Sequence, residues 1–221
     1  MPKSTLWFKE FKSYIVEEFI AHLPYTIVGV IAGLILIIVV RLLNVITVTE
    51  REFHFAHYIH LFFSGAASAA IFRSYRNSIW KAIPIAFISS VLLCALSDIF
   101  IPYLGLVVTG YYDTPLHICT IEHPLTVGLS ALGGIVVGLL GIKFFAHCNR
   151  SFHLLHMLIS TTASTLYMLT YIPILDLQAI VSMGATLFVA LVIPCIAGDV
   201  IVPLCFITIR DEFTHHKVHH H

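Results

Sequence analysis

Six long apolar runs divide the chain. They cover Pro24–Asn44, Phe53–Phe72, Ile79–Leu104, Pro124–Phe145, Phe152–Ile172 and Gln178–Ile209. Stretches such as Tyr25–Val40 and Leu125–Leu140, with their flanks, are long enough as helices to cross about 30 Å of hydrocarbon. The pattern predicts an all-α integral membrane protein with six transmembrane helices. Ahead of the first run, Lys3, Lys9 and Lys12 alternate with Leu6, Trp7, Phe8, Phe11, Tyr14, Ile15 and Phe19, and Glu17 and Glu18 interrupt the apolar residues. This predicts an amphipathic helix over residues 1–22 lying on the membrane surface rather than a cleaved signal. A helix packed under the bundle fits the same pattern.

Within the apolar runs a polar signature occurs twice. His57, His60, Ser64, Ala67 and Ser68 return 96 positions later as His153, His156, Ser160, Ala163 and Ser164. Cys94, Asp98 and Pro102 return 101 positions later as Cys195, Asp199 and Pro203. Apolar matches arise easily by chance, whereas His, Cys and Asp are each costly in hydrocarbon and do not recur there without cause. The chain therefore reads as a duplication, with repeat 1 over residues 23–110 and repeat 2 over 111–209. Each repeat holds three helices, an odd number, so the two halves must cross in opposite directions. The expected architecture is a 3+3 inverted repeat, a plan that recurs in secondary transporters. His22-Leu23-Pro24 and Glu122-His123-Pro124 form a weaker echo at the repeat starts.

Composition agrees with a lipid environment: 58% hydrophobic, 11% charged, mean hydropathy +0.93. Net charge is zero, which gives no reason to expect a nucleic-acid partner. Five cysteines is an odd number, and Cys94, Cys195 and Cys205 fall in apolar segments, so a disulfide framework is not expected. Basic residues gather on one side of a six-span count: Arg73, Arg76 and Lys81, then Lys143 and Arg150, then Arg210 and Lys217, with three lysines before the first span. The opposite loops carry Glu50, Glu52, Asp113, Glu122 and Asp176, with Arg41 and Arg51 as exceptions. Both termini are thus expected on the cytoplasmic side of a cell (inner) membrane. Trp80 and Tyr111-Tyr112 suit the interfacial aromatic belt.

His57 and His60 are three apart, and Cys94 and Asp98 four apart, so each pair shares a helix face. Brought together, two imidazoles, a carboxylate and a thiol could hold zinc, iron, manganese, cobalt or nickel. His153, His156, Cys195 and Asp199 offer the same set again. The cysteines could equally be small buried hydrophobes. The competing reading makes His57–Asp98 and His153–Asp199 buried hydrogen-bonded pairs that fix helix packing. Ser64, Ser68, Ser160 and Ser164 extend the two histidine stripes and would line a polar route between two sites, one nearer each surface. Pro102 and Pro203 could break their helices and free carbonyls as ligands; simple kinks are the alternative.

His117, Cys119, Glu122 and His123 lie within seven residues of one loop, and His117, Glu122 and His123 could capture a metal at the outer mouth. His54, three before His57, could add an accessory ligand there. The tail over 210–221, with His215, His216, His219, His220 and His221, could buffer metal or be an appended purification tag. There is no phosphate-binding glycine loop, nucleophile elbow or HExxH motif. The leading functional expectation is a divalent transition-metal transporter or channel. Alternatives are a membrane metalloenzyme acting on a lipid-like substrate, a haem-binding electron-transfer subunit, or a structural subunit of a larger membrane complex. A homo-oligomer is compatible with all of them.

Overall fold

The computed structural model describes residues 3–43, 48–75, 78–111, 114–141, 149–172 and 176–197. Among these, all regular structure is helical and there is no strand. The helices are α1 (Lys3–Leu43), α2 (Glu50–Tyr75), α3 (Ile79–Ala95), a π turn (Leu96–Phe100), α4 (Ile101–Val108), the single turn α5 (Cys119–Glu122), α6 (Pro124–Leu140), α7 (Asn149–Tyr171) and α8 (Leu177–Ile196).

One expectation is corrected here. The surface helix over 1–22 and the first span are one continuous helix, Lys3–Leu43, with Pro24 inside it. An internal proline removes one backbone hydrogen bond but need not end a helix whose neighbours take up the freed groups. No glycine precedes Gly29, and the Thr26 hydroxyl donates to the His22 carbonyl at 3.1 Å. Among the described residues, four helical stretches are long and apolar enough to cross a membrane: Phe19–Val40, Glu50–Arg73, Ile79–Val108 and Leu177–Pro194. The fourth expected run becomes the shorter apolar helix Pro124–Leu140, about 25 Å long at 1.5 Å per residue. In α7 the stripe His153, His156, Ser160, Thr161, Thr162, Ser164 and Thr165 dilutes the apolar residues, although its 23 residues are ample in length.

Large apolar side chains cover much of the exposed surface, while a cluster of polar groups is buried among the apolar ones inside. Leu140 and Val108 are more than four-fifths exposed, while Asp98 is fully buried and His57, His60, Ser160 and Ser164 nearly so. Water as the sole solvent would select the reverse; hydrocarbon around the helices accounts for it.

Helix α2 is central and packs on α3, α6 and α7. α1 packs on α7 and α8, and α4 also leans on α8. Glycine pairs set two close approaches. A Cβ on Gly134 or Gly138 of α6 would collide with the backbone carbonyls of Phe62 and Ala66 on α2. A Cβ on Gly29 or Gly33 of α1 would press on Thr161 and Thr165 of α7 at 2.8–3.0 Å. Both are glycine pairs four apart, the spacing that lets helix backbones meet where no hydrophobic force drives them together. Between α2 and α7 the ring contacts Phe53–Tyr167, His60–His156 and Phe63–Phe152 run in opposite order along the chain, so these two helices are antiparallel.

The rod from Ile79 to Val108 widens at Leu96–Phe100, where the Ile101 N–H reaches back five residues to the Leu96 carbonyl. Pro102 follows, and its missing N–H cannot close on the Asp98 carbonyl. The proline therefore does not break the helix; the chain accommodates it with a π turn, a feature common at functional sites. Gly110, at φ +99°, lets the chain turn away after α4.

The glycine contacts yield a paired test. Gly134→Ala must push α2 and α6 apart and is expected to destabilise the bundle by about 1–3 kcal/mol, the usual range for overpacking. Gly128→Ala, where a Cβ meets nothing within 4 Å, is expected to be neutral or to stabilise by up to about 1 kcal/mol. Reversible SDS unfolding followed by circular dichroism separates the two.

Candidate functional site

Asp98 projects from the π turn into the bundle and is the only described carboxylate that is fully buried. Its Oδ2 accepts from Nδ1 of His57 at 2.8 Å and from Nδ1 of His60 at 2.7 Å. Its Oδ1 accepts from the Ser97 hydroxyl at 2.7 Å and, at 3.4 Å, from Ser160 of α7. Ser164 donates to the Ser97 carbonyl at 3.0 Å, tying α7 to the π turn. Four donors thus converge on one carboxylate from three elements. The three-residue spacing of the histidines on α2 makes this arrangement available.

With both Nδ1 atoms donating to Asp98, Nε2 of each imidazole is left to face the interior. Nε2 of His60 lies 2.9 Å from Nε2 of His156 on α7, close enough to share one hydrogen. Asp98 therefore stands behind the histidines as an orienting carboxylate, the relation that holds metal-binding imidazoles in position in many proteins. Cys94 is fully buried and faces the His60 ring. His153 is a turn before His156; its ring meets His22 edge-on at 4.6 Å and Tyr25 at 5.0 Å. The sequence sets expected at opposite faces thus adjoin at His60–His156. The Cys195 side chain, Asp199, Pro203 and the tail histidines lie outside the described residues. Ser160 and Ser164 serve the Asp98 network; Ser64 is buried and Ser68 half-buried along α2.

A second group sits at the end of the bundle where α2 begins. Nε2 of His54 is 2.7 Å from Nε2 of His117. His123 stands edge-on to His54 with ring centres 5.0 Å apart. Ligand nitrogens of His54, His117 and His123 all lie within 4.8 Å of one another, so the group could hold a metal ion. His117 Nδ1 donates to Glu122 Oε2 at 2.7 Å. Cys119, from the same segment, turns away into the core, where burial foremost, helped by the negative charges of Asp98 and Glu122, pushes its thiol up to about 12.

Sequence spacing pointed to His57, His60 and Asp98, and to His117, Glu122 and His123. It did not give His60–His156 as neighbours, nor Ser97, His22 and Tyr25 as members of the surroundings. Ser97 adjoins Asp98 and could have been found by helical geometry. The other contacts cross between helices far apart in sequence, and only the echo at His22-Leu23-Pro24 hinted at them.

No family model, curated protein or solved structure matches this chain.

Two expectations follow. Asp98→Asn leaves two imidazole N–H groups competing for one carbonyl oxygen, and should lower unfolding stability in detergent by about 1–3 kcal/mol. In a variant keeping Cys119 as its sole cysteine, maleimide at about pH 8 should label folded protein at least about tenfold more slowly than SDS-unfolded protein. The sign follows from the raised thiol pKa: the reactive thiolate is scarce at every pH below about 12 while the protein is folded.

Proposed function

We propose that this chain is a membrane transporter or channel for a divalent transition-metal cation, built as six spans in two inverted halves. The observation that carries the reading is a file of imidazoles ranged along α2 and α7. His117 and His123 adjoin His54; a turn further along α2, His57 and His60 share Asp98; His60 meets His156, and His153, a turn before it on α7, meets His22. Because α2 and α7 are antiparallel, the first half of this file descends one helix and the second half continues along the other. Neutral imidazoles with a carboxylate behind them suit first-row cations such as zinc, iron, manganese, cobalt or nickel better than magnesium or calcium.

Several matched features support two inverted halves. The glycine pair Gly29/Gly33 packs α1 on α7, and Gly134/Gly138, each 105 positions later, packs α6 on α2. The first helix of each half therefore rests on the second helix of the other. π geometry begins at Leu96, and again at Ala197, 101 positions later. His60 and His156, equivalents in the duplication, touch each other, as residues on a pseudo-two-fold axis do. On this reading the basic loops put both termini on the cytoplasmic side.

The haem alternative loses ground because His60 and His156 are in direct contact and leave no room for a macrocycle between them. The metalloenzyme alternative gains nothing from Asp98, the one fully buried carboxylate among the described residues, since four donors already hold its oxygens.

Flux into proteoliposomes tests the proposal. Purified protein should carry at least one of Zn²⁺, Fe²⁺, Mn²⁺, Co²⁺ and Ni²⁺, and His60→Ala, His156→Ala and Asp98→Asn should each lower the rate by about 10–100-fold. Absence of flux for all five cations, or rates unchanged in all three variants, would overturn it.

A further inference from the structure

The group at the start of α2 has a chemistry of its own. Three imidazoles arrive from three separate places: the second turn of α2, the segment after α4, and the residue that precedes α6. Metal sites whose cation exchanges or reacts usually offer three protein ligands and leave a fourth position to water, whereas closed structural zinc sites use four and favour thiolates. Here the one nearby thiol, Cys119, faces the core instead. His54 and His117 are partly buried and His123 is exposed, so one side of the group opens to solvent. The Nδ1–H of His117 is held by Glu122, which fixes the ring and directs Nε2 at the other two imidazoles. A metal-bound histidine almost always has such a partner on its other nitrogen.

We infer that His54, His117 and His123 form an exchangeable tris-imidazole site for a zinc-class divalent cation, with Glu122 as the positioning carboxylate and water as fourth ligand. Two nitrogens on one tetrahedral ion at about 2.0–2.1 Å lie roughly 3.3 Å apart. His54 and His117 are 2.7 Å apart, so a small rotation of these partly buried side chains opens the site. Binding replaces the hydrogen shared by these two nitrogens, and His54 carries its proton on Nδ1 instead. It also cross-links the 114–123 segment to α2, so the cation closes that end of the bundle from three sides. The inference stands apart from transport, since three imidazoles bind an ion whether or not it moves on.

Cobalt(II) added to the full chain in detergent is the probe, because four-coordinate cobalt absorbs strongly in the visible. His215, His216, His219, His220 and His221 are first replaced by alanine so that the tail does not contribute. The expected result is a four-coordinate band that His54→Ala, His117→Ala and His123→Ala each remove or reduce, and that Zn²⁺ displaces. Glu122→Gln should keep the band shape but weaken affinity by about 10–100-fold. His60→Ala should leave this portion of the band intact. Circular dichroism identifies any variant that has lost its helices, and His123→Gln, at the exposed ligand, then serves in its place. A band unchanged in all three alanine variants, or no band in helical parent protein, overturns the site. Flux without this band removes the site and leaves the transport reading; the band without flux does the opposite.

Discussion

A carboxylate buried among apolar helices is the constraint on which the rest of this structure depends. Left alone, an ionised Asp98 would be among the most expensive groups a membrane-like interior can hold, and removing one partner from such a cluster commonly costs about 3–5 kcal/mol. Two imidazole donors and two hydroxyl donors satisfy it, and each comes from a defined place. That requirement fixes the rotation of α2, which must turn His57 and His60 inward. It also fixes the approach of α7, which must bring Ser160. The π turn is part of the same solution, since it places Asp98 on the inner face of a mostly apolar rod.

Close packing makes those hydrogen bonds reachable. Gly134 and Gly138 let α6 lie against the backbone of α2 from behind, and Gly29 and Gly33 let α1 lie against α7. The outer helices act as clamps on the two helices that carry the histidines. In hydrocarbon there is no hydrophobic drive to hold helices together, so contact distance and polar bonds do that work. A bulkier residue at either glycine pair would move the histidine helices relative to each other, and a shift of about an ångström is enough to break a bond such as His60–His156.

How much of this was legible in the sequence varied with the kind of signal. The hydrophobic runs gave most helix positions, because a helix in lipid must be apolar over its length. The signal is weaker where packing intrudes: α7 is diluted by its polar stripe, and α6 stops at Leu140, before Gly141. The pairing of His57 and His60 with Asp98 was legible because spacing on two helices aims both at one side. The role of Asp98 was not, since composition cannot distinguish a ligand from the group that orients ligands; the Nδ1 contacts make that distinction. His117 and His123 were readable as a local cluster, while His54 joined them only through the fold. The continuity of α1 through Pro24 was hidden because a proline signals a boundary, yet its cost is a single hydrogen bond that the surroundings can absorb.

The contact between His60 and His156 bears on how a conduit of this kind could work. On the inverted-repeat reading the two residues are equivalents, and a contact between equivalents lies on the axis that exchanges the halves. A state open to one side and a state open to the other would then have similar energies, because each would be the other turned over. Small differences between the halves, such as His54 standing where repeat 2 has Arg150, would set the balance. A ligand moves such an equilibrium only through unequal affinity for the two states, and about 1.4 kcal/mol of difference is a tenfold shift. A cation held between His60 and His156 touches both halves alike and favours neither, so it can leave in either direction. Direction must then come from the groups at the ends, where the imidazoles at the start of α2 and those around His22 have different neighbours. On the proposed transport reading, selectivity and direction would then rest with the two mouths, and the centre would serve as a shared, indifferent relay.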